Sequence, residues 1–147
     1  MPMTPTIFPD APEAAAAGTK RTVLAGKRVL VVDDNLINLD VAVEAFAMVG
    51  AKVDSTPEGA EAITLIERNA YDLLLLDLFM PGVDGLDVGR AARASQTNKD
   101  TCMLIFTASD KSDASVAMQA LGANGVIAKP VEIDDLLRKA EALFHNA

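Results

Sequence analysis

The sequence predicts a doubly wound α/β domain, a (βα)5 chain folded as a five-stranded parallel sheet with helices on both faces. Three observations lead there. Five short strand-like segments, most of them apolar, each precede a stretch with helical periodicity. The run Tyr71-Asp72-Leu73-Leu74-Leu75-Leu76-Asp77 shows no period-2 alternation, which suits a strand buried on both faces. Half of the 147 residues are apolar but only 4% are aromatic, so the core must be built from Val, Leu, Ile and Ala.

The elements follow in order. Residues 1–26 carry Pro2, Pro5, Pro9 and Pro12 and then Ala14 to Ala17, with little to bury, and are expected to be a disordered tail. Arg28 to Asp34 is a β-branched strand ending in two carboxylates. From Leu36 to Val49, Leu39, Ala42, Val43, Phe46 and Val49 share one helical face, and Gly50 supplies the residue that closes it. Lys52 to Asp54 reads as a short strand. Thr56-Pro57-Glu58 has the form of a helix start, with a capping hydroxyl, Pro in the first turn and an early acid, and that helix runs to about Asn69. After the leucine run, Met80-Pro81-Gly82 stops the strand and Gly82 to Gly85 turns into a helix from about Leu86 to Ala94. Gly89 weakens that helix by ~1 kcal/mol relative to Ala. Met103 to Thr107 is a fourth strand. Ser109 or Asp110 can cap the Ala-rich helix that ends at Gly122. Gly125 to Lys129 is the fifth strand, and Ile133, Leu136, Leu137, Ala140, Leu143 and Phe144 form the stripe of the last helix. Acids lie in its first turn, with Arg138 and Lys139 later, in keeping with the helix dipole.

Charge and composition narrow the functional classes. Thirteen basic against 21 acidic residues give a net charge of −8, with no Lys/Arg cluster, so no nucleic-acid partner is expected. The single cysteine, Cys102, is expected to be a buried structural thiol, which suits a reducing, cytoplasmic setting. No apolar stretch approaches the ~18 residues that cross a bilayer, and the first residues lack the basic start and apolar core of a secretory signal, so no membrane association is expected.

Polar groups collect at the carboxyl ends of the strands, where open parallel sheets place their ligands. Asp33 and Asp34 follow the first strand, Asp77 ends the third, Thr107 the fourth and Lys129 the fifth. Alone, each has an ordinary explanation as a cap, a turn former or a surface charge. In the flavodoxin-like strand order 2-1-3-4-5, however, the first and third strands are neighbours and three carboxylates crowd one pocket. That crowding is costly unless a cation neutralises it. An all-oxygen donor set selects a hard ion such as Mg2+. An ammonium and a hydroxyl suit phosphoryl oxygens. These are the parts for moving a phosphoryl group onto a carboxylate, with Asp77 as nucleophile, the metal and Lys129 stabilising charge, and Thr107 binding the product.

The set resembles the receiver domain of two-component response regulators. The segments that carry the resemblance are Val-Val-Asp33-Asp34-Asn35, Leu-Leu-Asp77-Leu-Phe79-Met-Pro81-Gly-Val-Asp84-Gly85, Phe-Thr107-Ala108 and Ala-Lys129-Pro130, spread over about Lys27 to Phe144. The resemblance implies a receiver domain over 27–147. It implies that Asp77 accepts a phosphoryl group from the phosphohistidine of a histidine kinase or histidine phosphotransfer protein. It also implies that Asp34, Asp77 and the Phe79 backbone carbonyl ligate Mg2+, with Asp33 acting through water, and that the Lys129-Pro130 bond is cis. Such domains catalyse only their own phosphorylation and dephosphorylation. Asp33-Asp34-Asn35-Leu36-Ile37-Asn38 is similar to receivers attached to hybrid kinases and so implies phosphorelay ancestry. The family couples Thr107 to an aromatic three residues before the lysine, but Val126 stands there. The signal is therefore expected to leave through the loop after Thr107 and the Ala-rich helix.

Since the chain ends three residues after Phe144, the expectation is a stand-alone module, a monomer or weak dimer, acting on a downstream effector protein or relaying the phosphoryl group. Two rivals deserve weighing. A pseudo-receiver would use the fold as a docking module without phosphorylation, and Val126 is its one support. A phosphatase of the haloacid dehalogenase type would carry an acid two residues past the nucleophile, where this chain has Phe79. Met80, Asp84 and His145 are expected to have no chemical role.

Overall fold

A computed structural model describes residues 23–107 and 111–144, with side chains described except at 111–113. The elements alternate as β1 (Arg28–Val32), α1 (Leu36–Met48), β2 (Lys52–Thr56), α2 (Gly59–Arg68), β3 (Leu73–Asp77), α3 (Gly85–Ala94), β4 (Cys102–Thr107), α4 (Lys111–Leu121), β5 (Gly125–Ala128) and α5 (Ile133–Phe144). All strand pairs are parallel and the sheet order is β2-β1-β3-β4-β5, as the alternation predicts.

The unbroken leucine run is explained by its central place in the sheet. Leu73 and Leu75 join Val29, Val31, Phe46, Leu136 and others in a core beneath α1 and α5. Leu74 and Leu76 point the other way, into a second core with Leu30, Val32, Ile66, Val88 and Leu121 beneath α2, α3 and α4. All four leucines are fully buried, each contributing about 1.5–3 kcal/mol of transfer free energy.

Several boundaries differ from expectation for local reasons. Residues 23–26 depart from the disordered tail expected over 1–26, because Val23 to Gly26 form a turn and Leu24 is fully buried in the α1/α5 core, while residues 1–22 lie outside the described residues. β2 runs two residues past Asp54 to Thr56, which pairs with Val32. Thr56 is thus a buried strand end rather than a helical cap, and its hydroxyl accepts from the Glu58 N–H at 3.1 Å and donates to Glu61. The helix itself starts at Gly59, after Pro57. α3 starts one residue early because Asp84 caps it: Asp84 and Asp87 exchange side-chain and backbone bonds in a capping box. Gly89 leaves room for the Leu121 side chain, so α3 and α4 pack closely where a methyl would intrude. Gly50, at φ 85°, takes the left-handed position past α1. In α5, Arg138 and Lys139 lie mid-helix and pair back to Asp135 at 2.7 and 3.4 Å instead of meeting the last turn. The cap expected at Ser109 or Asp110 and the expectation for His145 lie outside the described residues.

Candidate functional site

Sheet register brings the predicted residues together. β1 and β3 pair through Val32 and Leu76, so Asp33 and Asp77 each stand one residue beyond a hydrogen-bonded pair on adjacent strands. Asp77 is level with Phe106 and Thr107 with Ala128, which places Lys129 one step past β4. The Lys129 N–H donates to the Thr107 carbonyl at 3.0 Å, and the Lys129-Pro130 bond is cis, as the resemblance implied.

The Lys129 ammonium bridges two carboxylates, lying 3.1 Å from Asp33 Oδ2 and 3.0 Å from Asp77 Oδ2. It sits 6.0 Å above the ring of buried Phe106, which adds a weak cation–π attraction. Asp33 is fully buried and Asp77 and Thr107 nearly so, whereas Asp34 is exposed. Successive residues at a strand end point to opposite sides, which separates a buried from an open acid.

Backbone donors hold the acids in place. Asp33 Oδ1 accepts the Asn35 N–H at 2.9 Å, and Asp77 Oδ1 accepts the Phe79 N–H at 3.2 Å. Asn35 in turn caps α1, its side chain accepting from the Ile37 and Asn38 N–H groups. Asp34, Asn35, Asn38, Phe79 and Pro130 rim the cleft above Asp77 and Lys129, with the Phe79 side chain exposed at its lip. Asn35, Asn38 and Phe106 stood within the segments that carry the resemblance, but the cap formed by Asn35 and the places of Asn38 at the cleft and Phe106 beneath Lys129 were not read from the sequence. Met80 is packed in the α2/α3/α4 core, and the Asp84 carboxylate is engaged at its helix cap. Cys102 is half-buried at the opposite end of β4, and burial pushes its thiol pKa up.

The electrostatics are those of a crowded site. Burial, followed by the charge of Asp33, pushes the Asp77 carboxyl from 3.8 up to about 6, with Lys129 pulling the other way. Burial works against the Lys129 ammonium, but its bonds to Asp33 and Asp77 outweigh that and hold its pKa above the ordinary lysine value. One ammonium thus faces two buried carboxylates and a third at the rim.

That imbalance fits a cation. Asp33, Asp34 and Asp77 each offer an oxygen, and the three atoms lie within 4.8 Å of one another. Asp33 Oδ2 is buried and takes no well-directed hydrogen bond, although the Lys129 ammonium is near. Oxygen donors of this kind suit a hard divalent ion that retains waters. No helix among the described residues is long and apolar enough to cross a membrane.

Comparisons with known proteins agree with this geometry. Residues 29–141 match the family model described as the response regulator receiver domain. The response regulator MprA of Mycobacterium sp. (strain KMS) is 35% identical over 119 residues, covering 81% of this chain and 51% of MprA. The virulence sensor protein BvgS of Bordetella pertussis is 32% identical over 133 residues, covering 87% of this chain and 11% of BvgS. The chain therefore spans about half the length of the MprA relatives and a small part of BvgS. Among solved structures, the Vibrio cholerae chemotaxis protein CheY4 matches with a TM-score of 0.75 at 25% identity, covering 80% of this chain and 98% of CheY4. The receiver domain of a Pseudomonas aeruginosa PAO1 sensor histidine kinase matches with a TM-score of 0.73 at 28% identity, over 84% of this chain and all of that one. That structure has a magnesium ion coordinated in its active site cleft.

Proposed function

The chain belongs to the response regulator receiver family, and from that premise we propose that it accepts a phosphoryl group on Asp77 from a phosphohistidine. The observation that carries the reading is the Lys129 ammonium held between Asp33 and Asp77, with Asp34 close enough to share a cation. A carboxylate oxygen of Asp77 forms the new P–O bond as the P–N bond of the donor breaks, and the imidazole leaves with the electron pair. Lys129, already above its ordinary pKa, keeps its proton and meets the charge on the transferring group. Thr107, at the end of β4, offers its hydroxyl to the product. Asp34, Asp77 and the Phe79 carbonyl would hold Mg2+, with Asp33 acting through water. When bound, the ion neutralises the carboxylates and the phosphoryl oxygens.

The partners on this reading are a histidine kinase or histidine phosphotransfer protein upstream and an effector protein, or the next relay protein, downstream. The Asp33 to Asn38 motif, and the likeness to a receiver domain that is part of a sensor histidine kinase, favour the relay arrangement. The domain then acts as a cytoplasmic switch rather than as an enzyme with turnover. Incubation with a phosphorylated histidine phosphotransfer protein and Mg2+ should move the label to this chain. Absence of transfer from every such donor of the source cell, with the donors active on other receivers, would overturn the reading.

Val126 favours the second reading, a docking module that works without phosphorylation. It is half-buried and packs at the edge of the α2/α3/α4 core, with no ring to rotate inward. The charged cluster argues for phosphorylation nonetheless, because Val126 supplies none of its groups.

Phe79 bears on how long the phosphoryl group lasts. Its side chain is exposed at the cleft lip and has no group to orient a hydrolytic water. Phe79→Asn should therefore shorten the half-life of the phosphorylated protein by about tenfold or more. Loss of label after donor removal measures it, and an unchanged half-life would count against this role.

A further inference from the structure

We infer that Gly59, the first residue of α2, is a positioning residue for the phosphoryl-transfer site, because it lets the helix seat directly on the loop that follows Asp77. The inference rests on the function proposed above.

Two backbone approaches define a short mechanical path. A methyl group on Gly59 would overlap the Val83 carbonyl oxygen and come within 2.8 Å of the carbonyl carbon and 2.9 Å of Val83 Cβ. Gly59 is buried, so this end of α2 rests on the main chain of the loop between β3 and α3. Two residues after Val83, where the loop enters α3, a methyl on Gly85 would overlap the Asp77 carbonyl oxygen and lie 2.7 Å from its carbon, so this end of the loop closes back on the residue where it begins. The end of the loop that carries Phe79 is thus held between Gly59 of α2, at Val83, and the Asp77 main chain, at Gly85. Backbone atoms cannot rotate aside as a long side chain does, so an added Cβ must displace the loop itself.

The same junction reaches the other acid. The Asp33 N–H donates to the Thr56 carbonyl at 3.3 Å, and the Thr56 hydroxyl accepts the Glu58 N–H, fixing the turn into α2. The segment from Thr56 to Gly59 therefore braces the site on two sides, at Asp33 and at the Phe79 loop. Groups that only orient metal ligands typically change affinity by about 10–100-fold when altered.

The test compares Gly59→Ala with Ala60→Gly, an exposed change in the same turn of α2 that loosens the helix without adding an atom. In the metal-free full chain, Gly59→Ala should shift the amide resonances of Asp77, Leu78 and Phe79. Its dissociation constant for Mg2+, measured by calorimetry, should rise about tenfold. Ala60→Gly should lower the melting temperature and leave both properties unchanged. A folded Gly59→Ala protein with wild-type amide shifts and wild-type Mg2+ affinity would overturn the inference. So would equal changes in Ala60→Gly. Should Gly59→Ala fail to fold, Thr56→Val decides, since it releases the Glu58 N–H without adding bulk; the same amides must move and Mg2+ affinity must fall. If the wild type binds no Mg2+, the function proposed above fails, while the metal-free amide shifts still test the seating of α2.

Discussion

Lys129→Met should lower the phosphorylation rate by about 10²–10³-fold and destabilise the metal-free fold at neutral pH. The ammonium lies 3.0–3.1 Å from two buried carboxylates. Removing one member of a buried charged set leaves the others uncompensated, at a cost of about 3–5 kcal/mol. Methionine keeps the length of the stem and its contact over Phe106, so the loss reads out charge rather than packing. The sign of the pH dependence is informative. In the variant, acidification should recover part of the lost stability, because protonating one carboxylate relieves the repulsion. Urea denaturation from pH 7.5 to 5 in the presence of a chelator measures this. A variant as stable as the wild type at pH 7.5 and equally phosphorylated would remove Lys129 from the account.

Asp77→Asn should abolish phosphorylation while making the metal-free protein more stable at neutral pH. Asp77 in the folded chain titrates near 6 rather than 3.8, so the folded state holds that proton more tightly than the unfolded state does. The stabilising contribution is complete below about pH 3.8 and is lost as pH rises through about 6. The shift caps the neutral-pH penalty at about 3 kcal/mol. Lys129 keeps Asp33 when Asp77 becomes an amide, but it loses one charged partner. A net gain of about 1–2 kcal/mol is therefore expected. Mg2+ should raise the melting temperature of the wild type at pH 7.5 and do so progressively less below pH 6, as Asp77 takes up its proton. The variant should show a much smaller response. Thermal scans with and without Mg2+ across that range check both signs. A variant less stable than the wild type at pH 7.5 without metal would mean that Asp77 is a net structural asset.

How much of this was legible in the sequence depends on the range of the interaction. The leucine run announced a strand buried on both faces, and the ends of the first, third, fourth and fifth strands carried Asp33, Asp34, Asp77, Thr107 and Lys129 in an order that the 2-1-3-4-5 sheet brings together. The helix caps at Asp84 and Gly50 follow from local chemistry and were equally readable. Partners chosen by tertiary packing were not. Arg93 donates to the Leu121, Lys99, Thr101 and Gly122 carbonyls and so clips the end of α4 to the entry of β4. Nothing in its surroundings within α3 signals those acceptors. Buried Asn98 accepts from the Tyr71 N–H and donates to the Ile66 and Asn69 carbonyls, again across long separations. Leu24 looks like part of a Pro- and Ala-rich start until the α1/α5 core is seen to need it. Thr56 shows two local signals in competition: a capping hydroxyl and a β-branched strand end. Pairing with Val32 decided in favour of the strand.

The most direct measurement is the intact mass of the full chain after incubation with acetyl phosphate, with and without Mg2+, followed by mapping of the modified peptide. The account predicts one added phosphoryl group, dependent on Mg2+ and carried by the peptide that contains Asp77. No added mass under conditions that phosphorylate another receiver, or a phosphoryl group on any other residue, would contradict it.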